Sequence, residues 1–192
     1  MSAPHGPYPD SAGRTAPPDH AGRPAPGRQQ ESAMPRIIPN LWFDTQGKEA
    51  AEFYCSVFPN SRITRVTHYG EAGPLPAGTV MTVDFELDGL PCVALNAGPA
   101  FTFNEAVSLL IECADQAEVD RYWELLTADG GSEGPCGWLK DRYGLSWQVV
   151  PKMMEDLLSD PDPARTQRAM RAMMTMRKLD IAALQAAADG TS

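Results

Sequence analysis

Apolar and polar positions alternate most clearly over residues 80–87. Met81, Val83, Phe85 and Leu87 interleave with Val80, Thr82, Asp84 and Glu86, the period of a strand with one buried face. Asp88-Gly89 follows, a two-residue signature of a tight hairpin, and residues 90–96 read as the returning strand. Upstream, residues 62–69 predict another strand and the glycine-rich residues 70–78 a loop. Before these, the apolar run 37–43 predicts a strand that ends at Asp44-Thr45, read as the N-cap of a helix. That helix, about residues 46–57, sets Ala50, Phe53, Tyr54, Val57 and Phe58 on one stripe, and Pro59-Asn60-Ser61 ends it.

The same order then recurs. Residues 108–113 predict an apolar strand, and Asp115 with Glu118 three positions on has the form of a capping box. The next helix stacks Val119, Tyr122, Trp123 and Leu126 and stops at Gly130-Gly131. A turn and strands follow, the last over residues 145–150. Period two sends Leu145, Trp147 and Val149 to a core face, and Ser146, Gln148 and Val150 to a face suited to a cavity wall. Strand, helix and antiparallel strands, twice over, predict an α+β fold of two repeated βαβββ units. Each unit's helix covers one sheet face and leaves the other free to line a cleft. Past Pro151 the pattern is helical: residues 153–158, a helix opening at Asp162-Pro163, and a last one over 181–187. Met170, Met173, Met174 and Met176 crowd this arm, which predicts packing over a sheet or across a subunit boundary.

Composition changes the picture at the N-terminus. Eight of the 18 prolines precede Arg36, among Gly, Ala, Ser, Asp and Arg, with almost no aliphatic residue. Residues 1–33 are therefore expected to be a disordered tail, since so little apolar surface does not offset the entropy of ordering. Residues 34–151 form the paired-module domain and residues 152–192 the helical arm. The tail's charges cancel, so the net charge of -9 belongs to the rest of the chain. That balance repels nucleic acid and anionic membranes. No apolar run nears the roughly 18 residues of a membrane span, and no export signal opens the chain. Cys55, Cys92, Cys113 and Cys136 lack CxxC spacing and are expected to be reduced thiols in a cytoplasmic protein. Cys136, in a glycine turn, reads either as a small core residue or as an exposed thiol.

Several runs carry a resemblance: Trp42-Phe43-Asp44, Phe53-Tyr54, Phe58-Pro59-Asn60-Ser61, Phe103-Asn104-Glu105-Ala106-Val107-Ser108, and Gly134-Pro135-Cys136-Gly137-Trp138-Leu139-Lys140-Asp141. From Arg36 to Ala187 the chain resembles the vicinal oxygen chelate (glyoxalase/bleomycin resistance) superfamily. Within it, the resemblance is to the PhnB-like branch, often labelled 3-demethylubiquinone-9 3-methyltransferase. The resemblance implies paired βαβββ modules, a homodimer, and a cavity inside each curved sheet. It also implies four metal-ligand positions on strands, usually His and Glu. Carried over one at a time, these fall at Pro39, at one of Cys92, Ala94 or Asn96, near Val107, and at Gln148. His68 is the one histidine outside the tail, since His5 and His20 both lie within it. No metal site is therefore expected. Nor is S-adenosylmethionine: Asp44-Thr45-Gln46-Gly47 is no glycine-rich loop, and hairpins argue against a doubly wound parallel sheet.

The expected ligand is a small organic molecule in a metal-free, cofactor-free pocket. His68, Tyr69, Asn96 and Gln148 are candidate lining residues, with Phe101, Phe103 and Asn104 closing one end. For His68 the first reading is a partly exposed strand-end residue and the second a catalytic base. Asp141 reads as a bracket for its turn, and Trp42, Trp123, Trp138 and Trp147 as core or interface. Three functions stay open: a binding protein, an enzyme acting on a quinone-like or other small substrate, and a dimeric domain whose role depends on another protein.

Overall fold

The computed structural model describes residues 35–191. The expected disordered tail lies outside the described residues. Two four-stranded sheets, each with a helix against one face, realise the expected α+β pair of βαβββ modules. The first holds β1 (Asn40–Phe43), α1 (Gly47–Val57), β2 (Arg62–His68), β3 (Val80–Leu87) and β4 (Leu90–Asn96), ordered β1-β4-β3-β2. The second holds β5 (Ser108–Cys113), α2 (Gln116–Thr127), β6 (Ser132–Glu133), β7 (Trp138–Lys140) and β8 (Ser146–Pro151), ordered β5-β8-β7-β6. In each sheet the first and last strands pair parallel and the other neighbours antiparallel, so the sequence repeat is also a topological one.

Local chemistry explains the elements. Asp88 and Gly89 both take positive φ, +44° and +85°, as a two-residue turn between twisted strands requires. The Asp115 side chain accepts from Glu118 N, and Glu118 Oε2 accepts from Ala114 N, so α2 starts on reciprocal caps. At α1 the expected local cap is absent. Gln46 occupies the capping position without a side-chain bond, and Asn96 Oδ1 at the end of β4 accepts from Gly47 N at 2.7 Å. A Cβ on Gly47 would lie 2.7 Å from that same oxygen, so only glycine admits the contact. The first strand also begins later than expected. Ile37 is 98% exposed, and Pro39 has no N–H to give a ladder.

One core joins the modules. Leu41, Phe43, Ala50, Tyr54, Val83 and Phe85 meet Val119, Leu126, Leu139, Trp147 and Val149 in it. Full burial of each large aliphatic or aromatic side chain there is worth roughly 1.5–3 kcal/mol. Phe58 stacks on Tyr122 and Trp147, centroids 5.3 and 5.1 Å apart, and so bridges the two halves. The arm comprises α3 (Met153–Leu158), α4 (Pro163–Met173) and α5 (Ile181–Asp189). Its small core of Met154, Leu157, Ala169, Leu179, Leu184 and Ala188 packs against Val150. Met176 O and Arg177 O accept from Cys136 N and Gly137 N, so the segment before α5 docks on the turn entering β7.

Candidate functional site

Strand alternation leaves each sheet a face away from its helix. On the first sheet the register aligns Trp42, Leu95, Thr82 and Thr67 in one row, and Asn40, Val93, Asp84 and Arg65 in the next. The polar members are already paired: Arg65 binds Asp84 at 2.7 Å, and the Thr67 and Thr82 hydroxyls meet at 2.6 Å. On the second sheet the corresponding rows are Ser108, Ser146, Lys140 and Ser132, then Leu110, Gln148 and Trp138. A cavity of about 420 Å³ opens over this face, lined by Trp138, Lys140, Ser146, Ser132 and, from the connection between modules, Glu105. Lys140 Nζ lies 2.6 Å from Glu105 Oε1, and that lysine holds the Glu105 carboxyl below the usual glutamate range. Ser146 is fully buried, yet its Oγ has no hydrogen-bond partner. Buried hydroxyls are normally satisfied, which marks this one out.

A second, larger hollow of about 620 Å³ follows the outer edge of β5, between the β3–β4 turn and α2. Its walls include Phe58, Leu87, Leu90, Leu110 and Tyr122. It exposes a bare strand edge and apolar side chains, the features of an association surface and not of a cavity floor.

The residues expected to line a pocket are dispersed. Gln148 lies on the open face of the second sheet and donates from Nε2 to Ser108 Oγ at 2.9 Å. Phe101, 65% exposed, stands edge-on to Trp42, with centroids 5.0 Å apart. Phe103 turns the other way and packs edge-on against Phe43 beside the core, 5.3 Å between centroids. Asn104 Oδ1 accepts from Ala106 N within its own turn. Tyr69 and Asn96 are brought together, the phenol donating to Asn96 O at 2.6 Å, but both are buried. Asn96 is further engaged with Gly47 N and Val80 O. His68 is exposed on the opposite edge of the first sheet, paired with Val80. Lys140 and Glu105 were not singled out by the sequence, and Trp138, expected in the core or at an interface, is half-buried and lines the cavity. Alternation did place Ser146 beside Gln148, but nothing local shows that its hydroxyl lacks a partner.

Asp141 does more than bracket a turn. Its Oδ1 accepts from Tyr143 N (2.8 Å) and Leu145 N (3.1 Å), while Oδ2 accepts from Tyr54 Oη and Trp147 Nε1, both at 2.8 Å. Burial pushes this carboxyl above the usual aspartate range, and the donors from Trp147, Tyr54, Tyr143 and Leu145 pull the other way. Because Tyr54 belongs to α1, the carboxylate ties the second module's turn to the first module's helix.

The residues do not fit a divalent-metal centre at the four inherited positions. Cys92, Ala94 and Asn96 share the helix-side face of β4, Pro39 and Val107 have no donor side chain, and Gln148 already engages Ser108. Among the described residues no three His, Cys, Asp or Glu side chains gather as ligands. A methyl donor fits no better. Both sheets are mixed, and the Gly47 N–H that opens α1 is taken by Asn96. No described helix is long and apolar enough to cross a membrane.

The family described as 3-demethylubiquinone-9 3-methyltransferase matches residues 35–150. The PhnB protein from Bacillus cereus is 32% identical over 61% of this chain and 99% of its own, with a TM-score of 0.54. Protein PA1353 from Pseudomonas aeruginosa shares the fold at 22% identity, covering 62% of this chain and 98% of that one, with a TM-score of 0.51. No functionally curated protein matches the sequence significantly. With its two βαβββ modules, the chain belongs to the family described as 3-demethylubiquinone-9 3-methyltransferase, the PhnB-like branch of the vicinal oxygen chelate superfamily.

Proposed function

We propose that this protein binds a small organic ligand over the open face of its second sheet, without a divalent metal, and that it works as a homodimer in the cytoplasm. The observation that carries the reading is the orphaned, fully buried Ser146 hydroxyl in a cavity of about 420 Å³ beside Trp138 and Lys140. A few convergent polar groups on an apolar wall are what a small-molecule site needs. Gln148, on the same face, is the earlier candidate best placed to join it. Methyl transfer has less support, because neither the topology nor the start of α1 offers a place for the donor.

The dimer draws on a different feature. Strands β1 and β5 are both sheet edges, and β5 with the connection leading to it carries the exposed Val107 (68%), Phe101 (65%) and Leu110 (54%). Such edges invite strand pairing, and a second copy of this chain has matching ones. Four free thiols suit a reducing compartment.

A thermal-shift screen of several hundred small organic compounds tests the ligand reading, with mass spectrometry of native protein to identify anything carried through purification. Stabilising hits weakened by Trp138→Ala are expected. A screen without a hit refutes the reading. Sedimentation at micromolar concentration is expected to give a dimer, and Leu110→Lys to dissociate it.

A further inference from the structure

We propose that the cavity on the second sheet takes a small monocarboxylic acid. Its carboxylate displaces Glu105 from Lys140 and accepts from Ser146 Oγ, while its apolar body lies along the Trp138 indole. This rests on the small-ligand reading of the same cavity and specifies what the ligand is.

The chemistry of the row Ser108, Ser146, Lys140 and Ser132 carries the inference. The strands supply this face with three hydroxyls and one ammonium group. Lys140 and Ser146 sit directly opposite each other on neighbouring strands, so their side chains reach one bound group together. Ser108, whose Oγ accepts from Gln148 Nε2, lies outside the cavity lining, so Ser132, Ser146 and Lys140 are the members of the row that face the ligand. Lys140 can only donate and the unpaired Ser146 hydroxyl is free to donate, so a carboxylate suits both at once.

The present acceptor is not part of the sheet. Glu105 arrives from the connection between modules, and its side chain remains 65% exposed. A solvated pair of this kind is weak and exchanges easily for a ligand of the same charge. Lys140, 2.6 Å away, holds the Glu105 carboxyl below its usual range. Ser146 Oγ meanwhile is left unpaired, so a ligand carboxylate with two acceptor oxygens can satisfy what Glu105 does not. The other lining carboxylate, Glu133, is engaged by Trp123 Nε1 at 2.9 Å and by Arg177.

Size and charge narrow the class. Lys140 is the single cation among the lining residues, and the chain carries -9 overall. One cation balances a monoanion, whereas a phosphate monoester dianion would be left with an uncompensated charge. Trp138 offers an indole for an aromatic or other flat apolar body.

The test uses the full chain and isothermal titration with indole-3-acetate and benzoate, their neutral amides, and phenyl phosphate. The acids are expected to bind at least about tenfold more tightly than the amides and the phosphate ester, since the amides lack the charge-assisted bonds. Glu105→Gln, an exposed and conservative change, removes the internal competitor and is expected to tighten the acids about two- to fivefold with the amides unchanged. Lys140→Met and Ser146→Ala are expected to weaken the acids about tenfold and threefold, again sparing the amides. Amides binding as well as acids, or acids indifferent to Glu105→Gln, overturn the inference while leaving a neutral-ligand pocket standing. Acids that fail to bind at about 10 mM overturn it too. The compound screen above then judges the wider reading independently.

Discussion

Replacing Asp141 tests whether one buried carboxylate holds the two modules in register. It is 2% exposed and accepts four hydrogen bonds, two on each oxygen. Asp141→Ala strands the Tyr54 hydroxyl, the Trp147 indole N–H and the Leu145 amide in a dry interior. At about 1–3 kcal/mol for each unsatisfied donor, less the relief of no longer burying a charge, the net loss is about 3–5 kcal/mol. That is a large share of the roughly 5–15 kcal/mol a domain possesses. Asp141→Asn keeps one oxygen for one donor pair and turns an NH2 towards the other, so its loss is about 2–3 kcal/mol. Urea unfolding followed by circular dichroism measures both, and a cycle with Tyr54→Phe isolates the link between modules, expected at about 1–2 kcal/mol. If Asp141→Asn costs under about 0.5 kcal/mol, the carboxylate is not what joins the modules, and the reasoning fails.

Three further outcomes follow from the same geometry. Burial, then the Asp141 charge, pushes the Tyr54 phenol above its ordinary range, and burial with the Glu49 bond pushes Tyr143 up to about 12. Phenols raised in the fold contribute stability that is complete below their unfolded value near 10 and lost as pH climbs through the folded values. Unfolding free energy should therefore fall from about pH 10 upward, with a shallower slope in Tyr54→Phe; equal slopes contradict it. Burial pushes Cys92 up to about 11 and Cys113 up to about 12, and raises Cys55, whereas Cys136 lies half-buried, 3.6 Å from Met174 Sδ. A disulfide reagent at pH 8 is expected to titrate one fast thiol in native protein, which Cys136→Ser removes; a second fast thiol refutes this. Ser146→Ala removes a buried hydroxyl with no partner, so the ligand-free protein should gain about 1 kcal/mol, seen as a Tm rise of about 2–4 °C. A fall in Tm of that size would mean the hydroxyl is satisfied after all.

The strand and helix pattern was legible because both periods report burial directly. Alternation over β3 and β8 named the core faces, Asp88-Gly89 named its turn, and Asp115 with Glu118 named the start of α2. Each of these signals acts within a few residues, where sequence neighbours are also spatial ones. The start of α1 shows where that reach ends. Asp44-Thr45 had the right chemistry for a cap, but Asn96, 49 positions beyond Gly47, takes the place. The same asparagine had been expected to face a ligand, and its side chain is instead engaged at the helix.

The chain by itself thus determined two βαβββ modules, the buried faces of β3 and β8, and a single histidine outside the first 33 residues. These follow from periodicity and residue inventory, which do not depend on how distant segments meet. Tertiary structure alone decided that Asp141 reaches Tyr54, that Phe101 and Phe103 part to different sides, and that Glu105 meets Lys140 while Ser146 goes without a partner. Whether a polar group is satisfied depends on what folding brings within about 3 Å of it, and no pattern along the chain encodes that distance.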